Sequence, residues 1–328
     1  MSRVRYLLMR SLRTVFLLWV ILTFLFFFFR LMPGDYTTLM LNQGASPEAV
    51  AELRESWGLN DPLYVQYWNY LTNFLMLDVG TSLQTRLPVW DYVRPRMVNT
   101  LILALPGLLL AYVLGGVVGS FIGDKRGSRL ERSAVTLVTL VGSFPGFFTA
   151  ILAIVVLSVW LGIFPTGDMV STATQLRFDV WWRKYLTLDF LYHWILPVSV
   201  VAIRYMYGPT LIMRTSYVEV MGQDFAYYQK VTGLPYVRRV RHLGRHAVLP
   251  LMTLFPISIV QAVSGLVLIE LVFNWPGLGL TIIEAIRARD FPVIQFVFFV
   301  IAALVVVANF AVDIFYSVVD PRITVGED

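Results

Sequence analysis

Residues 14–29 read TVFLLWVILTFLFFFF, a stretch with no charged side chain that lies between Arg13 and Arg30. A bilayer core about 30 Å thick takes about 20 mostly apolar residues in a helix. The two flanking arginines can extend their guanidinium groups from the ends of such a helix to the membrane surfaces. The stretch therefore predicts a membrane-spanning helix. Since it lacks a small-residue cleavage site, we interpret it as a retained signal anchor.

The composition of the whole chain also indicates a membrane protein. Of its 328 residues, 57% are hydrophobic and 14% are charged, and the mean hydropathy is +0.69. Such a chain has too few polar side chains to cover a water-facing surface, so lipid must solvate it. The absence of cysteine excludes disulfide and thiolate chemistry. The net charge of +5 is typical of basic cytoplasmic loops, and we expect no nucleic-acid partner.

Five further apolar stretches follow the first one. Together they predict an all-α membrane protein with six spans, of which the other five cover residues 97–123, 133–162, 191–213, 247–269 and 291–316. Among the prolines of these spans, Pro145, Pro197 and Pro256 are expected to kink their helices. Kinked helices suit a bundle that encloses a cavity.

Basic residues in the loops predict the orientation, because cytoplasmic loops carry an excess of Lys and Arg. With the N-terminus inside, the cytoplasmic segments contain Arg3, Arg5, Arg10, Arg13, Lys125, Arg126, Arg129, Arg132, Arg214, Lys230, Arg238, Arg239, Arg241, Arg245 and Arg322. The first outer loop instead contains the acidic residues Asp35, Glu48, Glu52, Glu55, Asp61, Asp78 and Asp91. We therefore predict that both termini are cytoplasmic.

The first outer loop is too long for a simple connection. Ser46 precedes the pattern of an N-capped amphipathic helix over residues 46–53, which ends before Gly58, and residues 64–75 predict a second helix rich in aromatic side chains. The predicted organisation is therefore a tail with the first span over residues 1–30, an outer loop over 31–96, a core over 97–319 and a cytoplasmic tail over 320–328.

The segment over residues 214–247 carries the pattern of two amphipathic helices. Helical spacing relates Val218, Met221, Phe225 and Tyr228, and then Val237, Val240, Gly244 and Ala247, with Arg238, Arg241 and Arg245 on the opposite face. Between the two stripes, Gly233 suits a left-handed helix end and Pro235 suits the first turn of the next helix. The pattern predicts a helix–turn–helix with a small exposed tip.

The C-terminal part of the chain contains several separately spaced motifs. Residues 270–279 read ELVFNWPGLG, and EAI at 284–286, RDFPV at 289–293, Asn309, Asp313 and DPR at 320–322 follow. Together these motifs resemble the C-terminal signature of the B-type permease subunit of peptide/nickel ABC transporters, the dipeptide and oligopeptide importers. The outer loop resembles that of the same family, although Leu77 stands where the family usually has glycine.

The resemblance implies a type I ABC importer permease fold and a channel-forming subunit in a prokaryotic inner membrane. The implied partners, besides the lipid bilayer, are a second homologous permease, two ABC ATPase subunits and an extracytoplasmic substrate-binding protein. ATP would close the ATPases and so shift the spans between inward-open and outward-open states. The substrate would be a peptide or a related small solute, with oligosaccharides and nickel as alternatives.

Residues 214–247 resemble the EAA loop, which docks into a groove on the ATPase in permeases of this kind. The matching positions are Glu219, Asp224, Phe225, Lys230, Gly233, Leu234, Pro235, His246 and Leu249-Pro250. Residues 226–229 and 231–232 depart from the family's small and basic residues. The alternative is an ordinary amphipathic cytoplasmic hairpin with no docking role.

The sequence contains no motif for nucleotide or metal chemistry. It has no G-x-x-x-x-G-K-[ST] stretch, and no glycine directly precedes Lys125, Lys184 or Lys230. We therefore expect no enzymatic activity, no cofactor, and ATP hydrolysis on separate subunits. His242 and His246 are spaced i, i+4 but have no Glu or Cys beside them, which argues against a metal pair.

Arg204 is a charge within the fourth predicted span, where charges are costly and mark candidate functional sites. It lies ten residues before Arg214, about 15 Å along a helix and so near the midplane. Glu270 and Asp313 are the nearest charged candidates, which leaves a structural ion pair and a place in the translocation path as alternatives. Other polar candidates, which helix-packing hydrogen bonds would also explain, are Gln261, Ser264 and Asn309.

A rival interpretation belongs to a different class of protein. An ion-coupled secondary transporter or a channel would also need polar groups at the midplane, with Arg204 in the substrate path. A neighbouring gene for an ATPase with a Walker-A motif would favour the ABC importer and argue against this rival.

Overall fold

The computed structural model describes residues 3–31, 46–48, 51, 55, 58, 60–177 and 180–319. Within this part of the chain every regular element is helical, apart from one isolated bridge between Thr81 and Pro88. The all-α class predicted from the sequence is confirmed. The helix predicted over residues 46–53 lies largely outside the described residues, whereas the aromatic-rich helix predicted over 64–75 is present.

The helices are numbered here in chain order. They are α1 (Arg3–Leu31), α2 (Leu63–Leu75), α3 (Val89–Asp124), α4 (Arg129–Ser143), α5 (Gly146–Ala153), α6 (Thr172–Arg177), α7 (Leu188–Tyr205), α8 (Tyr207–Met221), α9 (Asp224–Val231), α10 (Tyr236–Ala247), α11 (Leu249–Val272), α12 (Leu278–Ala288) and α13 (Phe291–Val319). A π-helical turn, Ile154–Trp160, continues α5, and a 3-10 turn, Arg183–Leu186, precedes α7.

Up to six membrane spans are present among the described residues. Three helices are long and apolar enough to cross a bilayer alone, over Leu8–Leu31, Val89–Asp124 and Phe291–Ala311. Three bent pairs pass the same test of length and composition when the two helices of each are taken together: α4 with α5 and its π-helical turn (100°), α7 with α8 (47°), and α10 with α11 (51°). Counting each bent pair as one span gives the six spans predicted from the sequence.

The prolines of the spans differ in their effect. Pro145 lies directly before α5 at the 100° bend, as expected for a residue without a backbone donor. Helix α7 instead continues through Pro197, and the bend that follows falls at Met206. Membrane helices tolerate proline where neighbouring groups satisfy the freed backbone. The break at Met206 has a proline just after it instead, since Pro209 lies in the first turn of α8.

By its internal contacts the chain divides into two units. The first comprises Met1–Val98 and Thr281–Asp328. In it α1 packs along α13, and Phe26 of α1 lies against Tyr67 of α2, with ring centroids 5.3 Å apart. Asp290, which is buried, accepts hydrogen bonds from the Ser82 hydroxyl at 2.5 Å and from the Gln84 backbone N–H at 3.2 Å. These bonds fix the turn before α3 to the start of α13.

The second unit, Asn99–Leu280, contains two apolar clusters. The larger cluster joins side chains of α3, α5, α7 and α11, with Leu103, Val201 and Ile269 among its fully buried members. The smaller cluster joins α3, α8, α9, α10 and α11 around Met213 and Tyr217. The second cluster attaches the segment over residues 214–247 to the spans.

Candidate functional site

The segment over residues 214–247 folds as α8, α9 and α10 with a tip at residues 232–235. The predicted stripe from Val218 to Tyr228 is wrong in one respect, because the chain turns at Gly222 and Gln223 and divides the stripe between α8 and α9. Glycine has a low helix propensity, and Gln223 adopts extended backbone (φ −86°, ψ 153°). As a result Tyr228 is 65% exposed, and Ala226 is the buried residue of α9.

Helix α10 also buries a face that differs from the predicted one. Leu243 and Ala247 are buried, while Val237, predicted to lie on that face, is 75% exposed. Val237 is in the first turn beside the tip, and the later turns pack against α8 within the second cluster. The opposite face is as predicted, since Arg238, Arg241 and Arg245 are all exposed.

Gly233 ends α9 in a left-handed conformation with φ +71°. The Leu234 N–H donates to the Gln229 carbonyl at 3.1 Å, and the Gly233 N–H donates to the Lys230 carbonyl at 3.3 Å. This pair of hydrogen bonds is the Schellman motif, in which the left-handed residue favours glycine. Pro235 then precedes α10. The turn predicted at Gly233 is confirmed.

The tip presents an apolar and aromatic surface. Tyr227, Tyr228, Val231 and Val237 are each about two-thirds exposed or more. Phe225 and Leu234 are half-buried, and the Phe225 ring lies 5.1 Å from the His246 ring. The remaining predicted positions of this segment are exposed: Glu219, Asp224, Lys230, Gly233 and Pro235.

Two carboxylates bind the base of this segment to the turn between α3 and α4. Glu131 accepts from the Arg214 Nε at 2.9 Å and from the Arg214 Nη2. Asp124 accepts a hydrogen bond from the Tyr217 hydroxyl at 3.2 Å and forms an ion pair with Arg239 at 3.8 Å. Neither partner was predicted from the sequence. The available signal was the S-x-x-E pattern at residues 128–131, in which the Ser128 side chain caps α4 by accepting from the Glu131 N–H at 3.1 Å.

Glu270 is fully buried near the end of α11. Its carboxylate accepts hydrogen bonds from the Thr100 hydroxyl at 2.6 Å, the Gly279 N–H at 2.7 Å and the Leu280 N–H at 3.1 Å. The two N–H groups belong to the first turn of α12, where a negative charge is favourable. Glu270 therefore fixes the turn between α11 and α12 against α3.

A second set of hydrogen bonds holds the same turn. The Asn99 side-chain amide donates to the Pro276 carbonyl at 2.6 Å, and the Trp275 indole N–H donates to the Asn99 carbonyl at 3.0 Å. Tyr185 donates its hydroxyl to the Asn99 Oδ1 at 2.6 Å. Burial raises the pKa of Tyr185 to about 12, so this hydroxyl stays protonated and remains a donor.

Arg204 is half-buried at the end of α7, two residues before the bend at Met206. Its guanidinium carbon lies 5.5 Å from the centre of the Tyr205 ring. A Cβ built on Gly146, at the break between α4 and α5, would lie 3.6 Å from the Arg204 Cγ. Among the described residues no carboxylate forms an ion pair with Arg204, and Glu270 binds other groups. Two helix breaks thus adjoin this arginine.

The other predicted polar positions do not form one site. Gln261 is exposed, and its carbonyl accepts from the Tyr205 hydroxyl at 3.2 Å. Asn309 is exposed on α13, in the first unit. The side chains of Ser264 and Asp313 lie outside the described residues. Within the described part of the chain no three His, Cys, Asp or Glu residues are grouped as metal ligands.

Comparison with protein families assigns two parts of the chain. Residues 115–325 match the family described as binding-protein-dependent transport system inner membrane component. Residues 3–104 match the N-terminal region of the membrane component of the same transport systems. The two matches together cover nearly the whole chain.

Similar proteins include several named peptide permeases. The chain is 34% identical over 321 residues to the oligopeptide transport system permease protein AppB of Bacillus subtilis (97% of this chain, 98% of that protein). It is 32% identical over 312 residues to the dipeptide transport system permease protein DppB of Escherichia coli (91% and 92%). It is 36% identical over 325 residues to a putative peptide permease protein of Brucella suis (98% and 99%).

Proposed function

The chain belongs to the family of binding-protein-dependent transport system inner membrane components, and from this membership we propose that it is the channel-forming subunit of an ATP-driven peptide importer. As a family member it is a permease component and a multi-pass inner membrane protein. Peptides are the proposed substrates because the relatives are named for oligopeptides and dipeptides. Both termini are proposed to lie in the cytoplasm, on the basis of the basic loops.

The observation that carries the proposal is the exposed tip of the segment over residues 214–247. Tyr227, Tyr228 and Val237 expose apolar surface on a rigid turn, while the chain itself contains no P-loop. A large exposed apolar surface marks an interaction site. We propose that the tip docks into a groove on a separate ATPase subunit, as the EAA loop does in permeases of this kind.

The partners are part of the same proposal. A second homologous permease would complete the pore. Two ATPase subunits would bind the tip of this chain and the corresponding tip of the second permease, and an extracytoplasmic binding protein would deliver the substrate. Closure of the ATPases on ATP would move the tips and shift the spans between two states. The chain would perform no covalent chemistry itself.

Arg204 is proposed to line the translocation path. A guanidinium within a span is expensive unless it faces protein or water, and this one has no ion-pair partner among the described carboxylates. It also adjoins the breaks of two spans, a feature of substrate sites in other transporters. An ion-coupled carrier would share this feature, but family membership favours the ABC importer.

A cross-linking experiment tests the docking of the tip. The chain has no native cysteine, so Tyr228→Cys places one thiol at the tip without further changes. In the assembled transporter we expect a thiol-specific cross-linker to join this cysteine to an ATPase subunit. Leu188→Cys, at the exposed start of α7, is the control and should give no such product. Equal or absent cross-linking of the two variants would contradict docking at the tip.

A further inference from the structure

Helix α4 lies beside the first half of α8. Near one end the Glu131 carboxylate binds the Arg214 guanidinium through two nitrogen atoms. Near the other end a Cβ added at Gly142 would lie only 2.5 Å from the Cγ of Tyr207. The two helices are therefore antiparallel, and α4 contacts α8 from Tyr207 to Arg214.

The ends of this helix pair have different neighbours. Beyond Arg214, α8 continues to Met221 and is followed by α9 and α10, whose tip is the proposed docking surface. At the other end α4 stops before Pro145, where the span bends by 100°, and α8 begins after Met206, where the span bends by 47°. Arg204 adjoins both bends. The pair thus connects the tip to the arginine proposed for the substrate path.

The Glu131 end is held by charge as well as by shape. Glu131 is buried, and its second oxygen accepts from the Gly127 N–H at 2.5 Å. Arginine suits such a pair because its planar guanidinium binds one carboxylate through two N–H groups. A buried carboxylate whose arginine is removed stays as an uncompensated charge. Relative sliding of α4 and α8 at this point would have to break the pair.

Asp124, at the end of α3, attaches to both α8 and α10. Its side chain, 6% exposed, accepts from Tyr217 of α8 and pairs with Arg239 of α10. Helix α3 itself approaches α8 closely, since a Cβ at Gly119 would lie 2.5 Å from the Thr210 carbonyl oxygen. Replacement of this glycine would therefore force the two backbones apart. The turn between α3 and α4 thus holds α8 and α10 through two separate carboxylates.

We propose that α4 and α8 form one rigid lever, with Glu131 and Arg214 as the positioning residues that make movement of the docking tip reach the Arg204 region. Asp124 attaches α10 to the base of this lever. The inference rests on the proposed coupling function, and its test separates failure of the lever from failure of docking, because docking is measured independently by ATPase co-purification.

The first test removes the negative charge of Glu131 from its pair with Arg214. Glu131→Gln should co-purify with the ATPase subunits at the wild-type level, while substrate transported per ATP hydrolysed falls about tenfold, within the usual range of coupling between sites. Arg132→Gln, an exposed arginine next to Glu131, is the control and should behave as wild type. Wild-type transport per ATP in Glu131→Gln overturns the proposal. A parallel loss of assembly, ATPase activity and transport overturns it too, since that pattern indicates a purely structural role.

The second test replaces the ion pair with a covalent link. In a chain without native cysteine, the double variant Glu131→Cys and Arg214→Cys should also transport less substrate per ATP. Joining the two thiols with a short bifunctional maleimide should restore transport per ATP, because the lever moves as one body. The single variant Glu131→Cys with the same reagent is the control and should not recover. Loss of the remaining transport on cross-linking would show that α4 and α8 separate during the cycle and would overturn the proposal.

Discussion

Leu77 occupies the same position at the end of α2 that Gly233 occupies at the end of α9. Both residues are left-handed, with φ 59° and 71°, and both follow the Schellman hydrogen-bond pattern. At Leu77 the bonds are Asp78 N–H to the Asn73 carbonyl at 2.9 Å and Leu77 N–H to the Phe74 carbonyl at 3.1 Å. This conformation favours glycine, which is present at position 233 and absent at position 77.

Gly233→Val should leave membrane insertion intact but weaken ATPase docking and transport. The added side chain places a β-branched residue at φ +71°, which costs about 1–2 kcal/mol, although no neighbouring atom lies within contact distance of the new Cβ. Gly233→Asn is the matched control, because asparagine tolerates the left-handed region. Co-purification of the ATPases and substrate uptake are the measurements. Equal results for Val and Asn would contradict the conformational explanation.

Leu77→Gly should stabilise the protein by up to about 1 kcal/mol, because glycine relieves the strain of the left-handed conformation. The greater conformational entropy of glycine in the unfolded chain offsets part of this gain. The measurement is thermal unfolding of the purified chain in detergent. Leu75→Gly, two residues earlier in the last turn of α2, is the control and should destabilise by about 1 kcal/mol. If both substitutions destabilise alike, the turn is not strained at Leu77.

Glu270→Ala should destabilise the second unit by at least about 2 kcal/mol, since three buried donors lose their acceptor. Glu270→Gln retains one acceptor oxygen and most of the volume, so its loss should be smaller. Thermal unfolding of the three proteins gives the comparison. A fully stable Glu270→Ala variant that fails to transport would contradict the structural role and would favour a place for Glu270 in the translocation path.

Arg204→Leu should assemble with the ATPases, because the substitution leaves α7 unchanged. It should transport about tenfold less substrate, because it removes a positive charge from the proposed path. Arg204→Lys retains the charge and should keep more of the activity than the Leu variant. Uptake normalised to the amount of assembled complex is the measurement. Wild-type uptake by Arg204→Leu would remove this residue from the proposed path.

Local patterns predicted local structure in this chain. Helix α2 was expected over residues 64–75 and spans Leu63–Leu75, and the left-handed turn at Gly233 was expected from the glycine and the following proline. Both features depend on residues close in sequence. The bend at Met206 also has a local signal, since Gly208 and Pro209 follow it and Pro209 has no N–H to donate to the Tyr205 carbonyl.

Long-range polar pairs could not be predicted in the same way. Glu131 and Arg214 are 83 residues apart, and Thr100 and Glu270 are 170 residues apart. A carboxylate in an apolar sequence indicates that a partner is needed but not which one, because the partner depends on how the helices pack. The sequence therefore predicts Glu270 only as a candidate path residue, whereas its hydrogen bonds run to Thr100 and to the start of α12.

The most direct test of the central proposal is uptake of a labelled dipeptide by proteoliposomes. They would contain this chain with its partner permease and ATPase subunits, and the binding protein would be added outside. We expect uptake to require ATP on the ATPase side, to persist when ionophores collapse ion gradients, and to be lost with a hydrolysis-deficient ATPase. Uptake that follows an ion gradient in the absence of ATP would contradict the importer and support an ion-coupled carrier.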